Sequence, residues 1–223
     1  MKKFFLLIAL CLASFPYLTV AQELKNWDFG ISAELGRDYY NRKYSSHYDS
    51  NPYLLKSFQS RYSWGGGVWV ERHINRNLSG QVRVSYNQQD MFPDTYHSPS
   101  RTANKFFLKE KHHHIISDIG ARWYINPAST IKFFFDAKIG VNNFVALDLY
   151  EIEDGKMSIE DIYGYDRVQP LGLIAVGVKW RRLAVMAEYN RDLRRAEKSG
   201  YDYVTILRQG LTVKATFAIV NAH

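Results

Sequence analysis

Eight separate stretches of this chain alternate apolar and polar residues with a period of two, the repeat of a β-strand that has two unlike faces. In "IKFFFDAKIGV" (131–141) the odd positions are Ile131, Phe133, Phe135, Ala137, Ile139 and Val141, and the even ones are Lys132, Phe134, Asp136, Lys138 and Gly140. The same alternation runs through 27–36, 61–74, 78–89, 113–125, 170–180, 182–190 and 208–219. The expected fold is therefore all-β. What remains open is whether the oily face lines a core or meets lipid.

Segments of about ten residues match the length a tilted strand needs to cross a hydrocarbon layer. The connections between them alternate in length. Short ones fall at 75–77, 126–130 and 181–182, and long ones at roughly 38–60, 90–112, 144–165 and 191–207. Such alternation predicts one rim of tight turns and one of loops, the asymmetry of bacterial outer-membrane barrels. The second face carries Glu34, Glu71, Asp118, Asp136 and Glu188 against Arg83, Arg122, Lys132, Lys138, Lys179 and Lys214. Near balance is what a closed interior demands, because an unpaired buried charge is costly. Glycines on the same face leave room for long side chains in a barrel narrow enough to be filled by them. These residues are thus expected to form a structural charge network in the lumen of an eight-stranded antiparallel up-and-down transmembrane β-barrel. Trp27, Trp123, Tyr124, Trp180 and Tyr189, near strand ends, are read as interfacial girdle aromatics.

The first 21 residues read as a cleaved secretory leader, with Lys2 and Lys3, an apolar run from Phe4 to about Ala13, and Ala21 at the expected cleavage site. Residues 22–223 would then form the barrel domain. The sole cysteine, Cys11, leaves with the leader, which removes disulfides, thiolate metal sites and cysteine nucleophiles from the mature chain. The formal charge of +7 is spread along the sequence without a compact basic run, which argues against nucleic acid as a partner. After residue 21 no apolar run is long enough for a transmembrane helix, so a membrane location requires strands.

Three local features invite chemistry. In "KHHHII" (111–116), His112 and His114 share a face and His113 takes the other; a divalent metal there would need a third ligand such as His97. A rim enzyme acting on lipid A would use a histidine with serine or acidic partners. However, His114 and Ser117 have opposite parity, and only Asp118 shares a face with His114. The acidic loop 151–161 lacks the spacing of a dedicated calcium loop. The Tyr-rich segment 38–60 offers contact area for a partner or for lipopolysaccharide sugars.

Two longer stretches, "GGGVWVERHINRNLSGQVRVSYNQQD" and "LGLIAVGVKWRRLAVMAEYNRDL", resemble hairpins of the outer-membrane β-barrel family of Bacteroidetes that includes PorT-like proteins. The resemblance implies an OmpX-like or OmpA-like barrel and brings no catalytic residue. The chain departs from many such barrels at its end, where Phe217 is followed by "AIVNAH" rather than closing on an aromatic residue.

The leading expectation is a non-enzymatic, monomeric outer-membrane protein without cofactor or resident metal. Its lumen is filled by side chains, and four long extracellular loops give it a structural or surface-interaction role. Its partners would be outer-membrane lipid and lipopolysaccharide, the barrel-assembly machinery and a surface ligand of the loops. Two alternatives stand beside it: a lipid A-modifying enzyme with a rim site near His112 and His114, and a soluble exported lipocalin-like barrel with the faces inverted.

Overall fold

The computed structural model describes residues 26–45, 57–93, 108–151, 155–159, 167–194, 196–197 and 203–220. The expected leader, with its cleavage after Ala21, lies outside them, as do His97 and the middle of the first long loop. The described residues form ten strands: β1 (Trp27–Ser45), β2 (Ser57–His73), β3 (Leu78–Pro93), β4 (Leu108–Tyr124), β5 (Ile131–Glu151), β6 (Gly155–Ile159), β7 (Val168–Trp180), β8 (Leu183–Asp192), β9 (Ala196–Glu197) and β10 (Tyr203–Val220). Eight of them make the wall in the order β1-β2-β3-β4-β5-β7-β8-β10, every neighbouring pair antiparallel, and β10 pairs back onto β1 with Glu34 opposite Lys214. The eight-stranded wall therefore closes on itself. The short β6 and β9 extend the loop-side ends of β5 and β10.

Parity assigns the faces. Along β8 exposed and buried residues alternate without a break, with Leu183, Val185, Ala187 and Tyr189 outside and Ala184, Met186, Glu188 and Asn190 inside. Around the wall the exposed positions are apolar, among them Ile31, Leu35, Val82, Ile119, Phe133, Ile139, Ile174, Val176, Val213 and Phe217. The buried positions are largely charged or polar. This is the reverse of a soluble protein, and the medium that covers such a belt is lipid. The lipocalin-like alternative fails here, because its ligand cavity would have to be apolar. The protein is a transmembrane barrel of the outer-membrane type, with tight turns on one rim and long connections on the other.

Two expectations change. The strands run past the limits set by hydrophobic alternation: β1 continues to Ser45 and β5 to Glu151, deep into segments expected to be loops. At the loop-side edge of the lipid belt the outer face turns polar, at Arg37, Gln209 and Arg191 for instance, while backbone pairing continues beyond it. Ladder hydrogen bonds need only a partner strand, not an oily face. Tyr124, expected in the aromatic girdle, instead points into the lumen and is 2% exposed, whereas its neighbour Trp123 is 62% exposed on the lipid side. It shares the parity of Asp118 and Arg122, and a strand residue cannot leave its face without a bulge.

Candidate functional site

The lumen is filled by ion pairs and hydrogen bonds between side chains, built strand by strand from inward-facing positions. At the turn-side end Lys179 on β7 reaches across to Asp28 on β1, Nζ to Oδ2 2.6 Å, and Asp28 also meets His73 Nε2 at 3.2 Å. Glu71 lies directly opposite Asp28 in the β1–β2 ladder. Two carboxylates side by side would repel, so each is held by its own partners. Glu71 accepts hydrogen bonds from Ser79 Oγ (2.5 Å), Gln81 Nε2 (3.1 Å), Tyr124 Oη (2.7 Å) and Arg122 Nη1 (3.3 Å). Arg122 in turn donates through Nε and Nη2 to the two oxygens of Asp136 at 2.8 and 2.9 Å. Its guanidinium lies 3.7 Å from the centre of the Phe134 ring, so a cation–π contact adds to this bidentate pair.

The column continues toward the loop side. Lys138 joins Asp136 (3.2 Å) to Glu188 (3.8 Å), and Glu188 also receives Lys214 (2.6 Å) and Arg83 (3.3 Å). Arg83 also grips Asp118, through Nε at 2.7 Å and through Nη2. Lys214 closes onto Glu34 at 2.8 Å, and Glu34 accepts from Asn87 Nδ2 at 3.1 Å. Three acid–base pairs of this set, Arg83 with Asp118, Arg122 with Asp136 and Glu34 with Lys214, are direct cross-strand neighbours. The Lys179–Asp28 and Arg83–Glu188 pairs span the lumen between strands that do not touch. Glycines give the long side chains their space: a Cβ on Gly65 would come within 2.8 Å of Glu34 Oε1, and one on Gly120 within 2.6 Å of Lys138 Cγ.

Of the eleven residues expected in the network, Lys132 stands apart. It is half-buried at the turn-side mouth, its ammonium 5.8 Å from the Tyr124 ring centre, and it makes no ion pair among the described residues. It borders a depression of ≈ 800 Å³ shared with His73, Arg76 and Asn77. The other ten are buried and joined by the contacts above. Sequence reading missed Asp28, Tyr124 and a second layer nearer the loops. There Arg208 Nε meets Asp38 Oδ1 at 3.1 Å, and the backbone N–H of Arg208 donates to Asp192 Oδ2 at 2.8 Å. Asp28 lies within an expected strand and has the right parity. Asp38, Asp192 and Arg208 keep that parity but sit at or beyond the margins drawn for the apolar pattern. Apolar side chains also line the lumen, with Phe134, Ala175, Ala184 and Met186 around Tyr124 in one cluster, and Ile116, Leu171 and Leu173 in another.

His112 and His114 both face the lumen and are buried, each with its ring centre 5.0 Å from that of Phe144. Neither is placed to reach a lipid substrate. His113 points outward, with Nδ1 against the Tyr86 hydroxyl and Nε2 3.5 Å from Asp148. Among the described residues no group of three or more His, Cys, Asp or Glu is arranged to hold a metal ion.

No protein-family profile matches the chain, and no curated protein matches it in sequence. Solved structures similar to it are outer-membrane barrels. Neisserial surface protein A is 12% identical, with a TM-score of 0.44 over 85% of this chain and 96% of that one. OprG from Pseudomonas aeruginosa is 6% identical, with a TM-score of 0.48 over 88% and 98%. The outer membrane protease OmpT from Escherichia coli is 11% identical, with a TM-score of 0.46 over 87% and 97%. Likenesses this distant transfer neither an activity nor a residue's role.

Proposed function

We propose that this protein is a non-enzymatic outer-membrane barrel that closes its own lumen and acts through its loop-side rim, as a structural or surface-interaction protein. The observation that carries this reading is the continuous column of ion pairs from Asp28 and Lys179, linked to Glu71 by hydrogen bonds through the Tyr124 hydroxyl (3.4 Å from Lys179 Nζ, 2.7 Å to Glu71 Oε1), and on through Arg122, Asp136 and Lys138 to Glu188, Arg83, Lys214 and Glu34. Side chains bound to one another across the lumen oppose passage of solutes, and eight strands leave no room for a channel beside them. Residues that act as rigid plugs also free the loops to vary, and the wall then serves as a stable base for a binding surface. The leader at residues 1–21 supplies export, and the two hairpin stretches support kinship with PorT-like barrels. The test is electrical: the folded full chain in a planar bilayer gives no unitary conductance steps, and reproducible steps would overturn the closed-lumen reading.

One observation favours a second reading. The outward Tyr86–His113–Asp148 chain puts a hydroxyl, an imidazole and a carboxylate in sequence on the outer face, the order of groups that a hydrolytic site at lipid-headgroup height would use. A mass change in lipid A between producing and deleted cells that disappears in His113→Asn would favour the enzyme. Identical lipid A in all three strains supports the non-enzymatic reading.

A further inference from the structure

The lipid-facing wall is not evenly covered. Outside β5, β7 and β8 the paired residues Ile139, Gly172 and Arg191 form one row across three strands, and Ala137, Ile174 and Tyr189 form the next. The small residues Gly172 and Ala137 leave a depression of ≈ 440 Å³ between the larger side chains. Leu193 overhangs it, since a Cβ on Gly172 would lie 3.0 Å from Leu193 Cδ2. The Tyr189 ring forms one wall, and its hydroxyl is turned aside to donate to Gln209 Oε1 at 3.2 Å. At the loop-side end stands Arg191, exposed and without a carboxylate partner among the described residues.

The structure assigns this groove to one occupant: we propose that it seats an acyl chain of a phosphorylated glycolipid of the outer leaflet, with the Arg191 guanidinium on the lipid's phosphate. Depth and charge argue for it together. The groove lies within the apolar belt, where the only medium is hydrocarbon, and a missing side chain there is a place for a chain segment to pack. Arg191 follows the Arg181–Arg182 turn by one full strand, so it lies at the loop-side edge of the belt, at headgroup height when the loops face outward. A lone guanidinium at that height is matched by a phosphate, which it binds through a planar fork of N–H donors. A zwitterionic lipid offers the same chain but a phosphate already neutralised by its own ammonium.

The inference rests on the outer-membrane orientation proposed above, and the two fail separately: folding and conductance test the barrel, lipid preference tests the groove. The full chain, folded in mixed micelles, is offered bisphosphorylated lipid A, dephosphorylated lipid A or phosphatidylethanolamine, and retained lipid is read by native mass spectrometry. Bisphosphorylated lipid A is expected to be retained about fivefold better than the dephosphorylated form, the worth of one partly exposed charge-assisted contact. Arg191→Gln brings the phosphorylated lipid down to the dephosphorylated level and leaves the latter unchanged. Gly172→Leu fills the groove and lowers retention of both. The exposed loop residue Arg194 serves as control, and Arg194→Gln leaves the preference intact. If Gly172→Leu fails the heat-mobility test for folding, Ala137→Leu fills the same space from β5. Equal retention of the two lipid A forms by the unaltered chain, or a preference that survives Arg191→Gln, overturns the proposal. So does a dimer that Gly172→Leu dissociates, because the occupant would then be a second copy of the chain.

Discussion

Glu188 lies at the crossing of the lumen network, in contact with Lys214, Arg83 and Lys138, and its replacement tests whether the lumen is a closed, charge-balanced core. Glu188→Gln keeps the shape and removes one negative charge. Six buried or half-buried acids in the membrane section (Asp28, Glu34, Glu71, Asp118, Asp136 and Glu188) face six bases (Arg83, Arg122, Lys132, Lys138, Lys179 and Lys214), so the variant leaves one cation uncompensated. Breaking one side of a buried pair costs about 3–5 kcal/mol. With a urea slope of about 2 kcal/mol per molar, the unfolding midpoint in lipid vesicles falls by about 2 M, read by tryptophan fluorescence. Lys138→Met alone removes a positive charge, leaving Asp136 to Arg122 and Glu188 to Arg83 and Lys214, and is destabilising for the opposite reason. Combining the two restores the balance. The double variant therefore loses less than the sum of the single losses, by about 2 kcal/mol, within the coupling expected of contacting residues. Strict additivity, within about 0.5 kcal/mol, would refute the reasoning. It would mean that water in the lumen solvates each charge separately and that the column is no plug.

Two further predictions separate the faces of the wall. Val176→Arg places a guanidinium on the lipid side near the middle of the belt and costs about 2–4 kcal/mol, whereas Val220→Arg, at the strand end, costs about 1 kcal/mol or less; equal costs at the two depths would place the belt wrongly. Tyr124→Phe removes the hydroxyl that donates to buried Glu71 and lowers stability by about 1–3 kcal/mol, while Trp123→Phe, on the lipid side, changes it by less than half as much; the reverse order would return Tyr124 to the girdle.

How much of this was legible depends on which interactions are local. The parity of a strand is written in consecutive residues, so the lipid and lumen faces could be read at Ile139 and Lys138 or at Val185 and Met186 without any partner strand. Register turns parity into pairs only when neighbours in the sheet are also neighbours in sequence. Arg83 meets Asp118 and Arg122 meets Asp136 because each hairpin brings the two into one row. Position along the strand points Tyr124 to the girdle and parity points it to the lumen, and in the structure parity governs. Asp38 and Arg208 are hard to read for a different reason: the pattern that marks a strand is set by lipid, and above the belt lipid no longer imposes it, though the ladder goes on. Contacts across the lumen, such as Lys179 with Asp28, depend on the tilt and stagger with which eight strands close. That stagger is a property of the whole ring rather than of any hairpin. The sequence could therefore require that the lumen charges balance, while only the closed barrel could decide which acid each base would hold.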